Sequence, residues 1–232
     1  MATRLSKDRL FDGLAAVGKA LSSGRRLELL DVLSQGPRSV ERLAAEIDQS
    51  MANTSAHLRS LLAAGLVTSE RDRNRVVYQL AGPEVEELWA SLRAAADVHA
   101  AAIDRLASDY LGDRGQLESI TRAELAERLT RDPPPLVLDV RPAAEFLAGH
   151  VPGAISLPPG DLADLADRVR RLPAASDIVA YCRGPFCVYA DDAVRALQRR
   201  GVSARRLEDG FPEWRRSGLP VAVGAETAPG AP

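Results

Sequence analysis

Residues 177–188 read Asp-Ile-Val-Ala-Tyr-Cys-Arg-Gly-Pro-Phe-Cys-Val, and their reading decides the fold of the C-terminal half. Asp177 to Tyr181 is a short apolar run, the pattern of a strand buried on both faces of a parallel sheet. Val188 to Arg200 carries the apolar spacing of a helix. Strand, loop and helix in that order predict an α/β domain, whose sites lie at the carboxyl ends of strands. A loop entering a helix N-terminus aims several backbone N–H groups at one point. Cys182 opens this loop, so the amides and the adjacent Arg183 are expected to favour its thiolate. Cys187 follows five residues later, and the two are the only cysteines in the chain. That supply excludes a disulfide-stapled scaffold and a four-cysteine zinc site.

Working outward, the flanking segments alternate helix and strand. The patterns predict helices at Thr121–Leu129 and Leu162–Leu172, with helical turns at Glu145–Ala148 and Gly210–Ser217. They predict further strands at Leu136–Val140, Ala154–Leu157 and Ala204–Leu207. Three motifs surround the loop: Leu138-Asp139-Val140-Arg141 with Glu145, Gly149-His150-Val151-Pro152-Gly153-Ala154, and Gly210-Phe211-Pro212-Glu213-Trp214. Together, over residues 117–223, they resemble the rhodanese (sulfurtransferase) family. The resemblance implies an α/β fold with a central parallel sheet and Cys182 as the sulfur-accepting nucleophile. Arg183 and Cys187 join it as candidate catalytic residues, in an active-site loop completed by Gly184, Pro185, Phe186 and Val188. Asp139, Arg141, Glu145 and His150 read as structural ties, since a buried Asp and Arg pair with one another. Many rhodaneses carry Arg or Ser/Thr where Cys187 stands. A second thiol there is expected to resolve a persulfide or sulfenic acid on Cys182, closing a disulfide or polysulfide bridge; the alternative is that Cys187 merely caps the helix start. The loop is also of a size to cradle an oxyanion, which keeps an arsenate-reductase-like chemistry open.

The N-terminal half reads differently. Apolar stripes predict helices at Arg4–Leu21 and Arg25–Leu33, a short helix beginning at Ser39, and another from Met51 to Ala64. Leu66–Thr68 and Val76–Leu80 are strand-like, joined by the polar segment Glu70–Arg75, and a long helix is predicted from Glu84 to Tyr110. Helix, turn, helix and hairpin in this order make a mainly α winged helix-turn-helix, expected over residues 1–110. Its second helix must expose hydrogen-bonding side chains to the DNA major groove. Ser50, Asn53, Thr54, Ser55, His57 and Arg59 are the candidates, with Arg71, Arg73 and Arg75 on the wing for phosphates or a minor groove. The segments Ser39–Ala44, Ser55–Leu61 and Ala64–Val67 resemble the ArsR family of bacterial repressors, over about residues 8–108. That resemblance implies a homodimer, joined through its first and last helices, on a pseudo-palindromic double-stranded operator. Arsenic-sensing members carry cysteines before the turn, and Val40–Ile47 has none. Asp97 and His99 reproduce half of a zinc-sensing set, but Tyr110 and Asp113 stand where the other half belongs. A closed zinc site needs four ligands, so no metal and no cofactor are expected.

Leu111–Gln116, with two glycines, is the expected linker, and Gly224–Pro232 lacks core-forming residues and is expected to be a disordered tail. The 232 residues thus divide into two domains and a tail. A net charge of −2 hides a local basic face around the wing. No apolar run reaches the roughly 18–20 residues of a membrane span. Met1–Leu14 lacks the apolar core of a secretory signal, so a cytoplasmic location with no membrane partner is expected. The whole predicts a repressor that senses reactive sulfur or redox state through Cys182, with thiosulfate, polysulfide or persulfide as donor. The alternative is a sulfurtransferase, using thiosulfate or 3-mercaptopyruvate, with an appended DNA-binding domain.

Overall fold

The computed structural model describes residues 3–160 and 177–224. The helix predicted at Leu162–Leu172 and the tail beyond residue 224 lie outside the described residues. The chain divides into two compact units, Met1–Ala101 and Ala102–Pro232.

The first unit contains α1 (Arg4–Leu21), α2 (Gly24–Leu33), β1 (Arg38–Ser39), α3 (Val40–Glu46), α4 (Met51–Ala63), β2 (Val67–Asp72), β3 (Arg75–Leu80) and α5 (Pro83–His99). Ser side chains open two of these helices: Ser39 accepts from the Arg42 amide and Ser50 from the Asn53 amide. Leu29, Leu30, Leu43, Ile47, Leu58, Leu61 and Val67 form the apolar centre, each at most 1% exposed. The strands order as β1-β3-β2, all antiparallel. The wing strands run further than the sequence predicts. Asp72 pairs with Arg75, so the turn is only Arg73-Asn74, with Arg73 in the left-handed region at φ 52°. The predicted long helix also breaks. Ala100, at φ −105° and ψ 85°, ends α5, and α6 (Ala101–Leu111) follows. The division between the two units falls between Ala101 and Ala102, at the start of α6.

The second unit continues with β4 (Ser119–Ile120), α7 (Arg122–Arg128), β5 (Leu136–Asp139), α8 (Ala143–Ala148), β6 (Ile155–Ser156), β7 (Ile178–Cys182), α9 (Tyr189–Gln198), β8 (Arg205–Gly210) and α10 (Phe211–Arg216). Its sheet orders as β4-β8-β7-β5-β6, and every pairing is parallel. β7 is central and buried at all five residues. Alternate side chains leave a strand on opposite faces. Accordingly Ile178, Ala180 and Cys182 join Ala190, Ala193, Val194 and Leu197 of α9. Val179 and Tyr181 join Leu125, Phe146, Phe211 and Trp214 on the other face. Cys182 thus ends the central strand on the α9 side.

Candidate reactive loop and nucleic-acid interface

A buried charge network holds the loop from one side. Asp139 and Arg141 are both fully buried and pair at 2.6 Å. Tyr181 donates its hydroxyl to Asp139 at 2.5 Å and accepts the Val151 amide at 3.1 Å. Arg141 also donates to the Gly149 carbonyl at 2.7 Å and stacks 4.1 Å from the Phe211 ring centre. His150 bonds through Nδ1 to the Phe146 carbonyl at 2.9 Å. Such ties are costly to break, because removing one partner strands the other charge out of water. Buried Glu145 engages Arg183 through Nε at 2.9 Å and through a second guanidinium nitrogen. Arg183 therefore pins the loop to α8.

The two cysteines share the loop unequally. Cys182 is 3% exposed, while Cys187 is half-buried. The Cys182 thiol donates to the Cys187 carbonyl at 3.6 Å and lies 3.8 Å from that of Gly184. Burial pushes the Cys182 thiol well above the usual thiol range, and the neighbouring Cys187 side chain raises it further. Amides of Gly184 and Ala190 oppose this rise without overcoming it. Cys187 is held below the usual range, first by the neighbouring Cys182 side chain, against its own burial. Amides of Tyr189 and Arg183 and the Arg183 charge add to that lowering. Backbone amides do reach both sulfurs, but the thiol held below the usual range is that of Cys187 rather than Cys182. Desolvation decides this, since it penalises the charged form of the deeper sulfur most. Pro185, Phe186 and Val188 complete the loop, and a Cys187 amide to Gly184 carbonyl bond of 3.0 Å closes its turn.

Gly210 and Arg114 also contact this loop from outside it. A Cβ on Gly210 would stand 2.3 Å from the backbone of Arg183 and Gly184, so the end of β8 touches the loop through backbone alone. Buried Glu213 accepts the Gly210 amide at 3.0 Å. Arg114 donates to the carbonyls of Pro185 at 2.7 Å and Cys187 at 3.1 Å, and to Asp191 at 2.6 Å. Nothing in local sequence pattern signals that last contact, which spans more than 70 residues.

In the first unit, Ser50, Asn53 and Arg59 of α4 and its cap are exposed, and Ser55 and His57 are half-buried. Arg71, Arg73 and Arg75 are exposed along the hairpin. Thr54 corrects the expectation, for it is 0% exposed. It shares the inward stripe of α4 with Leu58 and Leu61, four and seven residues on. Asp97 and His99 are both exposed at the end of α5. Among the described residues, no group of three or more His, Cys, Asp or Glu could hold a metal ion. Among them also, no helix is long and apolar enough to cross a membrane.

Sequence comparison matches both regions. Residues 21–70 match a helix-turn-helix domain family and residues 121–217 the rhodanese-like domain family. The HTH-type transcriptional regulator Rv0324 of Mycobacterium tuberculosis is 46% identical over 224 residues, covering 97% of this chain and 96% of its own length. A sulfurtransferase of Allochromatium vinosum is 30% identical over 108 residues, covering 46% of this chain and 96% of its own. A solved homodimeric winged helix-turn-helix DNA-binding domain from Mycobacterium bovis is 41% identical. It covers 43% of this chain and 90% of its own, with a TM-score of 0.40. The fold and the family matches define a two-part regulator, a winged helix-turn-helix followed by an α/β rhodanese-like domain. The chain belongs to the ArsR-type winged helix-turn-helix transcriptional regulators that carry a C-terminal rhodanese-like domain.

Proposed function

We propose that the chain is a homodimeric repressor that senses reactive sulfur through the Cys182–Cys187 pair. One observation carries the reading: both cysteines of the chain occupy a single loop, where the Cys182 thiol donates to the Cys187 carbonyl. Cys182 first loses its proton to solvent by way of the neighbouring Cys187 sulfur. The Cys182 thiolate then attacks the outer sulfur of a persulfide RS–SH, forming Cys182–S–SH and releasing RS⁻. Cys187, its proton lost to solvent, attacks the inner sulfur of that persulfide. A Cys182–Cys187 disulfide forms and HS⁻ leaves, so the two thiols are oxidised as the sulfane sulfur is reduced to sulfide.

On the DNA side, Ser50, Asn53, Ser55, His57 and Arg59 meet the major groove, and Arg71, Arg73 and Arg75 meet phosphates or a minor groove. Support for a dimer comes from α1, where Leu5, Leu10, Phe11 and Leu14 are each at least 58% exposed. An apolar row of that kind on a regulator helix suits a second copy.

The test is mass analysis of the whole protein after sodium tetrasulfide, thiosulfate or peroxide. Stoichiometric sulfur uptake at Cys182, followed by a Cys182–Cys187 bridge, is the expected result. Unmodified cysteines with every sulfur donor would overturn the reading. A second reading, sulfurtransferase catalysis, is favoured by the likeness to the Allochromatium vinosum sulfurtransferase. Its mark is repeated turnover of thiosulfate or 3-mercaptopyruvate, lost in Cys182→Ser.

A further inference from the structure

Arg114 links the reactive loop to the helix that precedes it in the chain. Two residues, Gly112 and Asp113, separate it from the C-terminal Leu111 of α6. The segment between is bonded at each step. The Gly112 amide donates to the Ser108 carbonyl at 2.9 Å, with Gly112 at φ +71°. Arg195 donates to the Asp113 carbonyl at 3.0 Å, and the Gly115 amide to the Asp113 carboxylate at 2.7 Å. The Leu117 amide donates to the Arg114 carbonyl at 3.0 Å, and Leu117 itself is buried against the α9 side of the sheet. This stretch is therefore a fixed strap.

The Arg114 guanidinium uses three nitrogens on three acceptors: the Asp191 carboxylate, the Pro185 carbonyl and the Cys187 carbonyl. Asp191 is 1% exposed, and Arg206 approaches its second oxygen at 3.8 Å. The planar fork of an arginine sets all these directions together, which a lysine cannot do. The Cys187 carbonyl is the shared atom. It accepts from Arg114 at 3.1 Å and from the Cys182 thiol at 3.6 Å.

We propose that Arg114 is the positioning residue that carries the chemical state of the Cys182–Cys187 pair to α6. This rests on the sulfur-sensing reading above. Once Cys182 bears a sulfur or joins Cys187, its S–H no longer donates to that carbonyl. A disulfide also draws the two sulfurs to about 2.05 Å, and its torsion is narrow. The Cys187 peptide must turn to meet that geometry, and hydrogen bonds weaken steeply as their angle falls. Arg114 then loses one or both loop carbonyls while Asp191 still holds it. The strap re-seats, and α6 moves with it. α6 exposes Leu106 and Tyr110 at 61% and 67% and runs back through Ala100 into α5. Coupling of this kind requires only that the two loop states prefer different strap positions.

The experiment uses the full chain as wild type, Arg114→Lys and Asp191→Asn. The probe is a DNA duplex selected by the reduced protein from a random-sequence pool, and the modifier is sodium tetrasulfide. Loop mass and DNA affinity are read on the same samples. Wild type is expected to change affinity about tenfold or more on modification, within the usual range of site coupling. Both variants are expected to take up the same mass and to bind DNA normally when reduced. Their affinity should then shift less than about twofold, a small fraction of that coupling. Fully modified variants that shift as wild type does would overturn the role of Arg114 and leave the sensing reading intact. So would variants that bind DNA poorly before modification, or that take up no sulfur, because Arg114 would then be a structural tie alone. Asp191→Asn keeps Arg114 in the chain, so one misfolded variant does not decide the outcome. A wild type that is modified without any change in affinity would overturn the sensing reading itself.

Discussion

The two units place their functional residues in opposite environments. In the first, the candidate DNA contacts are exposed polar side chains on α4 and the β2–β3 hairpin, over a centre built from leucine, isoleucine and valine. In the second, the candidate nucleophile Cys182 ends a fully buried strand, Cys187 lies in the loop after it, and charged residues with 0% exposure brace that loop. The contrast teaches that function and stability are separable in one unit and joined in the other. A surface contact can be removed without disturbing the fold. A loop pinned by Asp139–Arg141 and Glu145–Arg183 cannot lose a tie without losing its shape.

The strongest way to break this comparison is Asp139→Ala. It leaves Arg141 buried without its carboxylate and Tyr181 without its acceptor. A loss of about 3–5 kcal/mol is expected in urea unfolding of the second unit. A neutral result would mean the network is not what holds the loop. Next is Gly210→Ala, whose methyl meets the Arg183–Gly184 backbone. About 2–3 kcal/mol should be lost, together with sulfur uptake at Cys182. A smaller effect concerns pH. Because Cys187 lies below the usual thiol range and Cys182 well above it, the pair loses its first proton at Cys187. Iodoacetamide labelling of Cys187 should climb at a pH below the usual thiol range, while Cys182 lags to a pH above it. Equal labelling with one common midpoint would contradict the inequality of the two sulfurs. Smallest of all is the stability effect of Arg71→Ala or Arg75→Ala. Each should change unfolding by less than about 0.5 kcal/mol. Each should also lower the salt slope of DNA binding by about one if the residue meets a phosphate. A large unfolding change would show that the wing, too, joins function to stability.

Much of this was legible in the sequence, for reasons that also mark where legibility stops. The apolar run Leu136–Asp139 and the run through Tyr181 announce buried parallel strands because no polar face interrupts them. β1 and β4 were missed because two residues carry no periodicity. The break at Ala100 was hidden among good helix formers on both sides. Thr54 could have been excluded from the DNA face by its spacing to Leu58 and Leu61, a signal that its chemistry masked. The relative acidity of the cysteines depends on depth, which a loop sequence does not carry. Arg114 reaches Asp191 across 77 residues, and only folding brings them together.

The central claim is that sulfur chemistry in the second unit changes what the first unit does to DNA. Its most direct test is the DNA affinity of wild type and Cys182→Ser, each before and after sodium tetrasulfide. Wild type should shift about tenfold or more, and Cys182→Ser should hold its reduced-state affinity throughout. Identical responses from the two proteins would contradict the account.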